Sequence, residues 1–599
     1  MTSESDSAAD PIQWLASRRS FLTLGGLAAT GVILGVGAAG CGTAKTGNDK
    51  GSSTGKGRPG ASGDTLFVAG FQWGPPKSFN PLAASPDWPT AQFQSQLIYE
   101  TLLRFDERDG SLHPGLAKGI EQPDDHTMRL ALQDGTKWSD GSDLTAEDVA
   151  FTFGLGKTAS VTYSTVWNYL DAVTAVDPRT VEFKLKSSPY NPVLVKNFIC
   201  ATNIVPKAVF SKLAGDKVTS DPNLQPIGSG PFLMDKYDQT QVSLKRNDAY
   251  WGKAVFGTPP MTTINHPIFK SNNDGDLKLE SGEIDASQQF TAQIWKMWEA
   301  GKPVSTWMKK KPYHLPGNMP LLIFNLSRKG LDNVKVRQAI AYAINYPNIA
   351  TTPMSDYSDP ATASLIVPTG YESKFYNAGA VQAEGWKYDK AKAISILEDD
   401  LKAKKGSDGI YVLPDGTKLG GWKLVTPTGW TDWNTTCEIV AKSAKEVGIG
   451  ITTEFPQFPT MFAALQNGNF DLAMFNYTGV GPASPWIRFR DALDNRGVPA
   501  VGKTAFWNYN RFSDPDAPAL LDAAAGAKTD ADAKAAYDKL DAIYRKNIPV
   551  VPLMYRPLEF YEVNQSNWTN FPTEENPYAP PMWQGAGIEW LFKIKKVGS

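Results

Sequence analysis

The sequence has little of what catalytic and metal chemistry draws on. Three cysteines and four histidines occur in 599 residues. His113, His126, His266 and His314 stand singly, with no pair at one-turn spacing for a zinc ion. Cys41, Cys200 and Cys437 lack metal-ligand spacing, and the last two leave a disulfide or two buried thiols equally open. A Gly-x-Ser-x-Gly elbow is missing, so Ser229 in Gly228-Ser229-Gly230 reads as part of a tight turn. Asp274 and Asp276 begin a calcium-loop pattern that Lys278 breaks. Charge of one sign is also scarce: 60 Lys and Arg face 62 Asp and Glu without a long block of either, which excludes a nucleic-acid footprint and a polybasic membrane patch. No metal, no cofactor and no catalytic residue is expected. A carboxylate pair for glycoside hydrolysis needs no local motif and stays open as the enzyme alternative.

Long hydrophobic runs are nearly absent too, and the one exception sits at the start. Ser17-Arg18-Arg19-Ser20-Phe21-Leu22 precedes a Gly/Ala-rich apolar run from Leu24 to Ala39, then Gly40-Cys41. A charged region, a short apolar region and small residues form a secretory signal, too short for a comfortable membrane span. The Arg18-Arg19 pair resembles a twin-arginine export signal, which implies folding before export. Ala38-Ala39-Gly40-Cys41 resembles a lipobox, with Ala38 where Leu is usual, and implies a lipid on Cys41. From Gly42 to Gly63 the chain is Gly, Ser, Thr, Lys and Asp with almost nothing to bury, hence a tether. Lys45-Thr46-Gly47 and Ser53-Thr54-Gly55-Lys56 match serine acyl-transferase motifs in letters only, because a tether cannot hold an activated serine.

The remaining chain, roughly 540 residues, suffices for two or three lobes. Thr65 to Gly70 is a strand-like run, and Phe93 to Phe105 reads as a helix running into a strand. Thr127 to Leu132 alternates as a half-buried strand. Asp140-Gly141 makes a turn, Thr145 is placed to cap a helix, and Glu147 and Asp148 fall in its first turn, where the helix dipole favours negative charge. Further on, Val336 to Ile344 and Glu438 to Val447 have helical spacing. Ile449 to Thr453 and Phe470 to Phe475 are strand-like, on either side of a helical Phe462 to Leu465. The first half mixes short strands with few helices, and the second alternates helix and strand as an α/β lobe does.

Specific motifs now add to this pattern. Leu97-Ile98-Tyr99-Glu100-Thr101-Leu102, Pro114-Gly115-Leu116-Ala117, Trp138-Ser139-Asp140-Gly141 and Leu144-Thr145-Ala146-Glu147-Asp148-Val149 come in that order. Gly228-Ser229-Gly230-Pro231-Phe232, Asn247-Asp248-Ala249-Tyr250-Trp251-Gly252, Ser281-Gly282-Glu283-Ile284-Asp285-Ala286, Val336 to Asn345, Tyr388 to Ala393 and Phe470-Asp471-Leu472 follow. From about Thr65 to Val563 the chain resembles the bacterial extracellular solute-binding family 5, the peptide and oligopeptide receptors of ABC importers.

The resemblance implies an α/β periplasmic-binding-protein fold (type II, class C), with two main lobes, a small inserted domain, a hinge and the ligand between the lobes. It divides the chain into a signal (1–41), a linker (42–63), a discontinuous lobe I (64–99, 228–313 and 553–599), an inserted domain II (100–227) and a lobe III (314–552). It implies a monomer at the outer face of the cell membrane that hands a linear oligomer to ABC permease subunits supplied by other chains. A secreted hydrolase and a receptor without a transport role are the alternatives. Peptide-binding members carry an aspartate in the loop after the Phe470-Asp471-Leu472 strand, where it pairs with the peptide amino terminus. Here no carboxylate occurs between Asp471 and Asp491, and a buried ammonium without a counter-charge is costly. Eighteen tryptophans are present. Trp73, Trp430, Trp433, Tyr477, Trp486 and Trp507 resemble the aromatic platforms of the family's oligosaccharide-binding branch, since ring faces suit sugar C–H surfaces.

Overall fold

The computed structural model describes residues 64–598 apart from 73, 84–85, 92–95 and 270. Arg18, Arg19, Cys41 and Trp73 therefore lie outside the described residues. Three larger sheets organise the chain, and each follows from local sequence.

The first has seven strands, in the order Val304–Thr306, Glu562–Asn564, Ala286–Ser287, Thr65–Ala69, Thr263–Pro267, Gln241–Arg246 and Phe232–Tyr237. Thr65–Ala69 runs parallel to both its neighbours and is buried along its whole length. A strand covered on both faces reads as a continuous apolar run rather than an alternation. Trp568 ties the end of the chain to it, its indole N–H donating to Thr65 O at 3.2 Å.

The second sheet is antiparallel, with Glu121–Asp124, Thr127–Ala131, Thr180–Leu185 and Leu170–Asp177 in that order. The expected capped helix packs on it as Ala146–Leu155, with Thr145 at its N-cap and Glu147 and Asp148 in its first turn. Asp148 Oδ2 accepts from Thr145 N at 2.9 Å, and Oδ1 accepts from Lys207 N at 2.8 Å, so one carboxylate holds two segments.

The third sheet contains β1 (Pro320–Phe324), β2 (Gly420–Val425), β3 (Gly450–Glu454), β4 (Leu472–Asn476) and β5 (Val550–Pro552), in the order β3-β2-β4-β1-β5. β2 is parallel to β3 and β4, while β1 is antiparallel to β4 and β5. Helix α1 (Thr431–Glu446) connects β2 to β3, and α2 (Phe458–Asn467) connects β3 to β4. α3 (Trp486–Leu493) follows β4. The alternation in the second half is thus a βαβαβ unit, and the protein is a mixed α/β fold. The chain passes between the seven- and five-stranded units twice, side by side, as the antiparallel pair Pro316–Asn318 and Arg556–Pro557.

One expected element differs. Residues 96–102 are not helical, and the strand begins only at Leu103. Leu97, Ile98, Tyr99 and Leu102 are all buried, so spacing alone carries no helical signal there. Their carbonyls serve other segments instead: Gly230 N donates to Ile98 O at 2.8 Å and Phe232 N to Leu97 O at 3.0 Å. A Cβ on Gly228 would lie 2.0 Å from Ile98 O, and one on Gly230 2.3 Å from Leu97 O. Gly228-Ser229-Gly230 is a place where two backbones touch. Cys200 and Cys437 are buried free thiols, which settles the disulfide question. Asp274 and Asp276 lie on the helix Asn272–Ser281, with Asp276 accepting from Thr291 Oγ1 at 2.9 Å. Among the described residues no helix is long and apolar enough to cross a membrane, and no group of three His, Cys, Asp or Glu could hold a metal ion.

Candidate ligand-binding cleft

The carboxyl ends of β2, β3 and β4 leave the five-stranded sheet on one edge, beside the paired crossing strands. In open α/β sheets that edge is where a crevice forms. Each of these strands is followed by an aromatic residue. Trp430 precedes α1, Phe458 opens α2, and Tyr477 follows β4. Thr428 N donates to Pro456 O at 2.8 Å, which locks the loops after β2 and β3 together.

The rings form a rail. Trp430 and Phe458 stack with centroids 5.8 Å apart and planes 23° apart, and Phe458 and Phe462 at 5.4 Å and 12°. Phe458 and Phe462 are one helical turn apart, so their side chains share a face of α2. All three are only half-buried, unlike the ring behind them. That ring is Trp433, which meets Trp430 edge-on at 4.8 Å and Phe475 at 6.2 Å. The cluster continues from Phe462 to Tyr509 at 6.3 Å and from Tyr509 to Tyr477 at 6.1 Å. Tyr477 is buried, its hydroxyl has no hydrogen-bond partner, and burial pushes its phenol well above the ordinary range.

Trp430, Trp433 and Tyr477 therefore lie in one cluster, whereas Trp486 and Trp507 sit in another. Trp486 is 3% exposed, and its indole N–H donates to Leu521 O at 2.8 Å. The Arg490 guanidinium lies 5.6 Å from the Trp486 ring and 5.2 Å from the half-buried Trp507 ring, and also pairs with Asp491 at 2.8 Å. Trp73 itself is undescribed, but its approach is well anchored. His266 Nε2 accepts from Phe71 N at 3.0 Å and Gln72 N at 3.1 Å, while Gln72 Nε2 donates to Asp87 Oδ1 at 2.8 Å. Burial lowers the His266 imidazole to about 4, so the accepting, neutral form is the one present at neutral pH.

Phe458, Phe462 and Tyr509 were not anticipated. The signal was available in Phe458-Pro459-Thr460-Met461-Phe462, two rings at i and i+4 just after a strand's carboxyl end. The loop after β4 is held by Arg488, whose Nη1 donates to Thr478 O at 3.0 Å, and by Val480 N, which donates to Gly317 O at 2.7 Å. On the crossing strands, Asn476 Nδ2 donates to Asn318 Oδ1 at 3.0 Å, and Arg556 Nε donates to Asp432 Oδ2 at 3.2 Å. Beside the half-buried rings, buried amides and a held ion pair thus fix the crossing strands to the carboxyl edge of the sheet. Half-open ring faces of this kind can stack on apolar C–H surfaces.

The family model for the bacterial extracellular solute-binding proteins, family 5 (middle) matches residues 111–493. The dipeptide-binding protein of Escherichia coli K12 is 27% identical over 365 residues, 57% of this chain and 64% of that protein. The glutathione-binding protein GsiB of the same strain is 26% identical over 314 residues, 52% of this chain and 57% of that protein. The chain thus spans less than two thirds of these relatives' lengths. A periplasmic oligopeptide-binding protein of an oligopeptide ABC transporter from Thermotoga maritima has a solved structure that is 31% identical, with a TM-score of 0.83, covering 89% of this chain and 99% of that one. The same Thermotoga protein bound to mannohexaose matches with a TM-score of 0.77, covering 90% of this chain and 99% of that one.

Proposed function

Since the chain belongs to the bacterial extracellular solute-binding proteins, family 5, we propose that it captures a linear oligosaccharide outside the cytoplasm and delivers it to the permease of an ABC importer. The observation that carries the sugar reading is the half-buried rail of Trp430, Phe458 and Phe462, three near-parallel rings along the carboxyl edge of the sheet. A pyranose stacked on each of two or three rings would give affinity without any charge on the ligand. The loop without a carboxylate agrees with this, and so does the mannohexaose held by the Thermotoga relative. The lobe boundaries expected from the sequence accompany this reading, with the crossing strands as the hinge.

Mannohexaose is the first ligand to test. Binding to the folded state alone should raise the melting temperature by a few degrees at saturating concentration, following about 2.7 kcal/mol at a hundred times Kd. A melting curve that mannohexaose leaves unmoved, together with a shift by linear peptides of either end group, would replace sugar with peptide. Turnover of mannohexaose would replace the receptor with the hydrolase.

The anchoring part of the proposal rests on Cys41. Cys41→Ala should move the protein from the membrane fraction to the soluble one, or leave it uncleaved, as read by fractionation and mass spectrometry. A Cys41→Ala protein of normal mature mass in the membrane fraction would sink the lipid anchor.

A further inference from the structure

The strand Glu562–Asn564 brings a fully buried glutamate into the seven-stranded sheet. Glu562 stands opposite Ser287 on one neighbouring strand and Thr306 on the other. Its Oε2 lies 2.6 Å from Thr291 Oγ1, and the same hydroxyl lies 2.9 Å from Asp276 Oδ1 on the helix Asn272–Ser281. A threonine hydroxyl has one proton to donate, and an ionised carboxylate has none. One hydroxyl cannot satisfy two carboxylates, so the two short contacts need a second proton. The other bonds place it. Asp276 Oδ1 already accepts from Gln289 Nε2 at 2.5 Å, as a carboxylate does, whereas among the described residues no other donor reaches Glu562 Oε2. The Glu562 O–H therefore donates to Thr291 Oγ1, and the Thr291 O–H donates to Asp276.

The surroundings favour this state. Burial and the like charge of Asp276 hold the Glu562 carboxyl well above its usual range, and burial raises Asp276 to about 6. Among the described residues no cation acts on either acid. The strands Ala286–Ser287 and Val304–Thr306 bring no titratable side chain. On the helix, Lys278 is paired with Glu283 at 2.6 Å. Tyr357, from the segment between β1 and β2, is the other group facing the pair, and its hydroxyl donates to Thr291 O and accepts from Ile294 N at 2.8 Å. Tyr313 and His314 lie against its ring at 6.1 Å and 4.8 Å, and burial, with Arg556 nearby, lowers His314 to about 3.

We propose that Glu562, Thr291 and Asp276 form a proton-held clasp, which fastens the strand Glu562–Asn564 to the helix Asn272–Ser281 and, through Thr291 and Tyr357, to the segment between β1 and β2. A rise in pH releases it. Loss of the proton leaves two carboxylates around a hydroxyl that can serve only one, and the other is then a buried charge without a partner. A carboxyl whose proton is held more tightly in the folded state contributes stability that is full below the ordinary carboxylate range. That contribution is lost as pH rises through the folded value. The clasp makes the joint between the two units responsive to pH whatever ligand the cleft takes.

The test compares the wild type, Glu562→Gln and Asp276→Asn by chemical denaturation across pH, with infrared spectra of the carboxyl groups. An amide N–H in Glu562→Gln stands where the carboxyl O–H stood and cannot ionise. Above the ordinary carboxylate range, the folding constant of the wild type should therefore fall about tenfold more per pH unit than that of Glu562→Gln, until Glu562 loses its proton. The difference spectrum of these two proteins at pH 7 should show one neutral carboxyl in the wild type. Other raised carboxyls, Glu107 among them, are common to both and cancel. Asp276→Asn should shift the loss of that neutral carboxyl to lower pH, because a like charge is gone. Parallel pH curves for the wild type and Glu562→Gln overturn the clasp, as does a difference spectrum without a neutral carboxyl. If Glu562→Gln does not fold, Asp276→Asn decides, and a neutral-carboxyl band that titrates as in the wild type overturns the proposal.

Discussion

Replacing Arg488 with Ala should destabilise the protein by about 3 to 5 kcal/mol, the range for removing one partner of a buried ion pair. Arg488 is fully buried and serves three separate segments. Its Nε donates to Leu365 O at 2.9 Å, its Nη1 to Thr478 O at 3.0 Å, and its Nη2 pairs with the carboxylate of Glu372. Glu372 Oε2 also accepts from Val367 N at 2.8 Å, so the carboxylate stays in place when the arginine is gone. The variant then holds an uncompensated charge and two carbonyls without donors. This is a large share of the 5 to 15 kcal/mol that keeps an ordinary domain folded. Chemical denaturation reads the loss directly. The double variant Arg488→Met with Glu372→Leu should recover much of it, since an apolar pair of similar volume removes both charges together. A single Arg488→Ala variant within about 1 kcal/mol of the wild type would show that the pair is not holding the loop.

The second large effect concerns binding. Trp430→Ala should weaken mannohexaose by roughly tenfold to a hundredfold, the loss of about 1 to 3 kcal/mol that a stacked aromatic anchor supplies. Its half-buried ring lies on the rail, so stability should change much less than affinity. Trp486→Ala should behave in the opposite way. That ring is 3% exposed and hydrogen-bonded to Leu521 O, and truncating a core tryptophan costs about 3 to 5 kcal/mol. Measured side by side, melting temperature and Kd separate a platform from a core residue. A Trp430→Ala protein that melts as low as Trp486→Ala and still binds normally would remove the rail from the site.

Those two tryptophans also show what the sequence carries and what it does not. The later part of the α/β unit was legible because helix and strand periods alternate from Glu438 to Phe475, whereas the strand Gly420–Val425 was not read from the sequence. The capped helix after Thr145 was legible because capping is local chemistry. The segment 96–102 was misread as helical because it is buried on all sides, and its partners, Gly230 and Phe232, are more than a hundred residues away. Tryptophan exposure is likewise a tertiary property. Trp430 and Trp486 both stand at the start of a helix after a strand, and only packing makes one half-open and the other closed.

The seven-stranded sheet carries a consequence for how the chain is made. Thr65–Ala69 is among its first strands in sequence, and Glu562–Asn564 fills the place between Ala286–Ser287 and Val304–Thr306. While the ribosome is still adding residues before about 565, two of these strands face each other across an empty slot, with unpaired edges that invite wrong partners. Closing the loop from Val304 to its partner Asn564, about 260 residues, adds only modestly to the entropy cost, but it cannot begin until the last strand exists. Thr65 to Ala69 must therefore wait through almost the whole of synthesis for its sheet to be complete. An export route that accepts only finished proteins would act on this chain only once Glu562–Asn564 has docked between its two partner strands.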